Sequence, residues 1–143
     1  MGRYFTLDQA QKSLGQVEPI VRRIKSLHEE FREAEAEIQD VTQKVMVSGG
    51  MRVDLGSMAA YKRRRDASGG QLRQSIESLQ EIGCLLKDFE AGLVDFPTQF
   101  RGEEVYLCWK LGEKGICFWH GIDEGFGGRK KIDREFLDHH SGE

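Results

Sequence analysis

VEPIVRRIKSLHEEFREAEAEIQDVTQKVMV, residues 17–47, decides the fold, because its apolar side chains fall at Val17, Ile20, Ile24, Leu27, Phe31, Ala34, Ile38, Val41 and Val45, in alternating steps of three and four. A period of about 3.5 residues keeps one stripe facing a partner helix, so the stretch predicts a long helix to Val47 with a coiled-coil-like seam. Ser48-Gly49-Gly50 ends it, and a second helical stretch from Ser57 to Ile82 supplies Leu72, Ile76, Leu79 and Ile82. The matching lengths predict an antiparallel hairpin turning near Arg52. That register sets Lys62-Arg63-Arg64-Arg65 against Glu35, Glu37 and Asp40, where opposite charges fix the pairing.

Around this hairpin the chain is punctuated by helix signals. Thr6-Leu7-Asp8-Gln9 has the form of a capping box, which starts a short first helix carrying Leu7, Ala10 and Leu14 and stopping near Gly15. Pro19 suits the first turn of the long helix that follows. Gly69-Gly70 is the weak point of the second long helix, since each glycine costs about 1 kcal/mol relative to alanine. Gly83 is the expected stop, with Cys84 packing back on Leu79 in a Schellman motif.

After Gly83 the periodicity changes to alternation. Val105, Leu107 and Trp109 alternate with Tyr106, Cys108 and Lys110, and Ile116, Phe118 and His120 alternate with Cys117 and Trp119. Gly112-Glu113-Lys114-Gly115 joins them, which predicts a β-hairpin. Leu93-Val94-Asp95-Phe96 adds a strand ended by Pro97, a short strand can form at Leu85–Lys87, and the charged stretch after Ile132 is expected to fray. The expected class is thus α+β, a helical hairpin followed by an antiparallel sheet of about three strands. One domain is expected over 1–143, with the hairpin and its short N-terminal helix at 1–83, a β module at 84–132 and a flexible tail at 133–143.

Composition narrows the function classes. Charged residues make up 31% of the 143, no apolar stretch approaches the roughly 20 residues of a membrane span, and the start lacks a secretory signal pattern. Cys84, Cys108 and Cys117 are an odd number at irregular spacing, which suits free thiols and a cytoplasmic setting. A net charge of −3 makes nucleic acid an unlikely partner, and Lys62–Arg65 reads more simply as a solvated, register-setting face.

Several quoted stretches carry a family resemblance: Arg3-Tyr4-Phe5-Thr6-Leu7, Gly92-Leu93-Val94-Asp95-Phe96-Pro97, Val105-Tyr106-Leu107-Cys108-Trp109, Gly112-Glu113, Trp119-His120, Gly125-Phe126 and Gly128-Arg129. Together these resemble the uncharacterised bacterial family called domain of unknown function 2203. The likeness covers nearly the whole chain, is most specific between Gly92 and Arg129 and is weakest between Gly49 and Gly70. It implies a bacterial origin and marks the β half as the family signature, but implies no activity, substrate or cofactor.

The candidate chemistry lies in that half. Asp95, Glu113, His120, Asp123 and Arg129, flanked by Trp109 and Trp119, supply the groups for a polar site. If Glu113-Lys114 is a two-residue turn, Trp109 pairs with Phe118 and Leu107 with His120, placing His120 on the hairpin's apolar face within reach of Asp95 or Asp123. The competing reading is a structural histidine, with Arg129 held by a carboxylate. Cys84, Cys108, Cys117 and His120 are zinc-ligand types without a C-x-x-C pair, so neither a metal nor a cofactor is expected, and Cys108 and Cys117 sit diagonally, as small buried thiols. Gly121, Gly125, Gly127 and Gly128 before Arg129-Lys130-Lys131 form either a phosphate-holding loop or a mobile one.

Two helices sharing a seam enclose no full core, which makes a homodimer the expected solution. Two functions follow. One is a homo-oligomeric interaction or assembly module with a possible protein partner; the other is a small-ligand binding protein or enzyme built on Asp95, His120, Asp123 and Arg129.

Overall fold

The structure, a computed structural model, describes residues 3–47 and 55–142. Helix α1 spans Leu7–Val47 and α2 spans Leu55–Ile82, followed by strands β1 (Leu85–Asp88), β2 (Leu93–Phe100), β3 (Glu103–Lys110) and β4 (Phe118–Gly121). A 3-10 turn at Phe126–Gly128, strand β5 (Lys130–Lys131), helix α3 (Arg134–His139) and strand β6 (His140–Ser141) complete the chain. The class is α+β as expected. The sheet is larger than three strands, running β1-β2-β3-β4-β5 with β6 on β2.

The capping box forms, with Gln9 N–H on Thr6 Oγ1 at 3.1 Å and Thr6 N–H on Gln9 Oε1 at 2.9 Å. The helix it opens does not stop at Gly15, however, and α1 is one element of 41 residues with Pro19 inside it. Proline removes the N–H that would bond the Gly15 carbonyl. Burial on both sides compensates, since Ala10, Val17, Val21 and Ile24 all belong to the core.

Helices α1 and α2 pair antiparallel. Arg64 bonds Glu33 at 2.9 Å, Ser68 bonds Glu30 at 3.3 Å and Arg23 bonds Gln71 at 2.9 Å, so position rises on one helix as it falls on the other. The basic run does face acidic residues of α1, but Arg64 meets Glu33, short of Glu35, Glu37 and Asp40. Asp40 instead holds Lys44 one turn on. The expected turn residues, Ser48-Gly49-Gly50 and Arg52, lie outside the described residues. Helix α2 runs unbroken through Gly69-Gly70 because Gly69 receives the Phe31 ring, where a Cβ would stand 3.2 Å from Cε2. It ends as expected: Gly83 has φ +108, its N–H bonds the Gln80 carbonyl at 3.0 Å, and Cys84 N–H bonds the Leu79 carbonyl at 3.2 Å.

Strand β2 passes through Pro97 to Phe100, beyond the expected stop. On the edge away from β3, β2 pairs with β1 only as far as Asp95 and with β6 only from Gln99. Pro97 sits in that gap, where its missing N–H is not needed and its carbonyl accepts Phe5 N–H at 2.7 Å. Strands β2 and β3 join through Arg101 (φ +52) and Gly102 (φ +83), a two-residue turn with both φ positive, which fixes Phe100 opposite Glu103 and so Asp95 opposite Cys108.

The β3–β4 register differs from the expected one by a single residue: Leu107 faces Trp119 and Tyr106 faces His120. The connection is not a Glu113-Lys114 turn. Glu113 folds back so that its N–H bonds the Lys110 carbonyl at 2.9 Å and its carboxylate accepts Lys110 N–H at 2.7 Å, and Ile116 is drawn onto α1 through Gln11. One residue of slip reverses the faces, so His120 leaves the apolar side. That side carries Val94, Phe96, Leu107 and Trp109, buried in one cluster with the first half of α1.

The stretch after Ile132 is folded, contrary to the expected fraying. Asp133 caps α3 by accepting Phe136 N–H at 2.9 Å, and Phe136 is buried between Phe100 and Trp119, with centroids at 5.1 and 4.9 Å. His140 Nδ1 donates to the Leu137 carbonyl at 2.9 Å, and its Nε2 accepts Leu7 N–H at 3.0 Å, satisfying one of the open donors at the start of α1. Among the described residues no helix is long and apolar enough to cross a membrane.

Candidate functional site

The outer face of the sheet, turned away from α1, carries Leu93, Asp95, Tyr106, Cys108, Phe118 and His120 by strand alternation. Asp95, Cys108 and His120 are all buried there, on the face away from α1. Their shield is the loop after β4. Together with Lys87 and Tyr106, its residues Ile122, Glu124, Gly125 and Phe126 line a pocket of about 140 Å³ whose floor is Asp95, Cys108 and His120.

His120 is oriented from both ring nitrogens. Nδ1 lies 2.8 Å from the Gly121 carbonyl, which can only accept, so Nδ1 carries a proton. Nε2 therefore points at Asp95 Oδ1, 2.9 Å away, and that contact holds a single proton on the imidazole or on the carboxyl. Asp95, Cys108 and His120 each offer one ligand atom, and these three atoms lie within 4.8 Å of one another. Burial, followed by the adjacent Asp95 charge, pushes the Cys108 thiol up to about 12, which keeps the proton on sulfur at neutral pH. Burial likewise raises the Tyr106 phenol, helped by Glu104 and Asp95.

This geometry does not make a nucleophile of Cys108. In a thiol–imidazole–carboxylate triad the two partners flank the imidazole on different nitrogens. Here Nδ1 is committed to the Gly121 carbonyl and Nε2 to Asp95, which leaves neither ring nitrogen to take the thiol proton. Three donors converging on one point suit the holding of an ion or of a small polar group.

Glu113 and Arg129 form a second cluster beside the first. Arg129 Nη2 bonds Glu113 Oε1 at 2.7 Å and reaches the Cys108 carbonyl at 3.4 Å, and the guanidinium lies over Phe118 and Phe126 at 4.1 and 4.7 Å. Its Nε is buried without a hydrogen bond. By pinning Phe126, the Glu113–Arg129 pair holds one wall of the pocket in place. Glu124 closes the loop's other end, accepting Gly121 N–H at 2.8 Å and Lys130 Nζ at 2.5 Å; the lysine bond, more than the backbone bond, lowers its carboxyl below the usual range. A carboxylate of the chain thus takes the Gly121 donor and the lysine that a phosphate would need.

The other expected site residues lie apart. Trp109 is in the core face with Nε1 bonded to the Glu113 carbonyl at 3.0 Å, Trp119 packs on Phe100 and Phe136, and Asp123 is exposed on the loop outside the pocket. Of the four zinc-ligand types named from the sequence only Cys108 and His120 come together. Cys84 is buried under the end of α2 and Cys117 is exposed ahead of β4. The sequence missed Cys108 as a partner of Asp95, along with Tyr106, Lys87 and Phe126. The missed signal was Arg101-Gly102 between two alternating runs, which fixes the β2–β3 register.

Residues 3–132 match the family model described as an uncharacterised conserved protein, DUF2203, and the chain belongs to that family. The matched span takes in the two long helices α1 and α2, the pocket and the Glu113–Arg129 pair, and stops short of α3. Neither a curated protein nor a solved structure matches the chain.

Proposed function

We propose that this protein binds a small polar ligand in the outer-face pocket, with Asp95 and His120 as recognition groups and the helical hairpin as scaffold. The observation that carries the reading is the buried Asp95–His120 pair at the floor of a concave pocket with apolar walls. Buried ionisable pairs are costly to desolvate, and this one lies beneath the loop after β4, on the face away from α1. A pocket of about 140 Å³ is smaller than a typical drug-sized site, so its ligand has only a few heavy atoms. Asp123 and Arg129 have no direct part in the contact; Arg129 acts by holding Phe126.

The test is ligand screening by amide chemical-shift perturbation, using small acids, amides and amines on the full chain. Binding is expected to shift Tyr106, Cys108, His120, Ile122 and Phe126 together and to be lost in His120→Gln. Shifts scattered over the hairpin, or no binder in the set, would sink the reading.

A second reading, a homo-oligomeric assembly module in the bacterial cytoplasm, is favoured by the distal arm of α1. The seam residues Ile38, Val41 and Val45 are only half-buried, and Met46 and Val47 are 78% and 82% exposed. Apolar surface at a hairpin end is what a second copy would cover in a coiled-coil-like bundle. The unpaired thiols support a reducing compartment. Light scattering at micromolar concentration is expected to give twice 16.3 kDa, and a monomer would remove this reading.

A further inference from the structure

We infer that Asp95, Cys108 and His120 form a mononuclear site for a divalent transition-metal ion of the zinc class, with one coordination position open to the pocket. The inference rests on the reading of that pocket as the functional site and narrows what it holds.

Donor chemistry comes first. One carboxylate oxygen, one sulfur and one imidazole nitrogen lie within 4.8 Å of one another, and all three residues are buried. Bonds of about 2.0–2.3 Å in a tetrahedral zinc site separate neighbouring donors by about 3.3–3.7 Å. The Nε2–Oδ1 contact of 2.9 Å must open by under about 1 Å, and no donor separation need close by more than about 1 Å, both within reach of side-chain rotation. Sulfur and imidazole select zinc, cobalt or nickel over magnesium and calcium, which take oxygen ligands.

The surroundings fit the same assignment. A metal-bound histidine characteristically donates its second N–H to a backbone carbonyl or a carboxylate, which fixes the ring; His120 Nδ1 does this to Gly121 at 2.8 Å. The ion would replace the proton shared by Nε2 and Asp95 and the proton on Cys108. Charge then balances, because a divalent cation with one carboxylate, one thiolate and a neutral imidazole is neutral overall, as a buried site requires. Three protein ligands leave a fourth position, and the pocket above supplies room for water or a small ligand between Leu93, Ile122 and Phe126. The hairpin connections place the donors: Arg101-Gly102 sets Asp95 opposite Cys108, and the Glu113 fold-back sets His120 opposite Tyr106, one ladder step along on the same face.

The test is cobalt and zinc titration of the full chain after chelator dialysis. The expected results are one ion per chain by elemental analysis, a thiolate-to-cobalt charge-transfer band, and visible bands of tetrahedral intensity. Cys108→Ser, nearly isosteric, is expected to abolish the charge-transfer band; His120→Gln should weaken binding by more than the ~100-fold that losing a supporting contact costs. Cys117→Ser should change neither. Circular dichroism identifies a variant that fails to fold, and in that event X-ray absorption on the wild-type cobalt protein decides, with one sulfur at about 2.3 Å expected. No uptake at micromolar free metal, or a band that survives Cys108→Ser, overturns the inference. If metal fails while small molecules still shift Tyr106, Ile122 and Phe126, the metal assignment falls and the pocket reading stands; if both fail, both fall.

Discussion

The two faces of the sheet are built from the same strands but to different ends. Val94, Phe96, Leu107 and Trp109 point at α1 and are buried by apolar contact, whereas Asp95 and Cys108, their immediate neighbours along the chain, are buried with His120 beneath a short loop. On the first face burial is itself the stabilising force. On the second it works against the groups buried, which must pair with each other or with something they bind. The core face thus holds the fold, and the outer face holds the chemistry.

The largest expected effect contrasts these faces directly. Trp109→Ala should cost about 3–5 kcal/mol, as for other buried aromatic truncations, seen as a lower urea midpoint. Replacing the outer pair together, Asp95→Leu with His120→Phe, should leave stability within about 1 kcal/mol, because apolar residues often substitute for a buried ion pair without loss. Asp95→Ala alone should cost several times more than the double change, since it leaves His120 without its partner. If the double variant unfolds as readily as Trp109→Ala, the outer pair is structural and the contrast breaks.

The thiols sharpen the comparison by rate. Cys117 is exposed, and Cys84 and Cys108 are buried with pKa values pushed up to about 11 and about 12, chiefly by burial. A disulfide reagent at pH 8 is expected to titrate one thiol rapidly and the other two only on unfolding. Fast reaction of Cys108 would mean that the loop carrying Ile122 and Phe126 does not shield the site.

The same burial gives a pH dependence with a defined sign. In the unfolded chain Cys84 ionises near its ordinary value of 9.0, and in the folded chain near 11. Between these values the unfolded state binds fewer protons, so stability present below pH 9.0 is lost as pH rises toward 11. Urea midpoints measured across that range should fall less steeply in Cys84→Ala than in the wild type.

The smallest effect concerns α2, which packs on α1 behind the core face. Gly70 lies inside α2, and a Cβ added there would meet nothing within 4 Å, so Gly70→Ala should stabilise the fold by about 0.5–1 kcal/mol. At Gly69 the Phe31 ring occupies that space, and the gain should be absent. Equal gains at both positions would mean that Phe31 does not rest on α2.

What the sequence by itself determined is local. The long helix to Val47, the capping box at Thr6, the Gly83 stop with its Cys84 contact and the alternation of the strands each depend on neighbours a few residues apart, and all are found; the strict seam is not, since Val21 is buried and Ile38, Val41 and Val45 are only half-buried. The site was partly legible for the same reason: Asp95, His120, Glu113 and Arg129 were named from residue type, and Arg129 as held by a carboxylate, but which one, Glu113, only the structure decided. Tertiary structure decided what depends on distant segments. Helix α1 continues past Gly15 and Pro19 because Ala10 before them and Val17 and Val21 beside them enter the core with the sheet residues, and 133–142 folds because Phe136 and His140 meet Trp119 and Leu7. The register of β4 follows from Glu113 bonding Lys110 and Gln11 holding Ile116, and one residue of slip moved His120 to the face of Cys108 and Asp95. Register has a period of two, so a contact between residues far apart in the chain, Gln11 to Ile116, decides which side chains share a site.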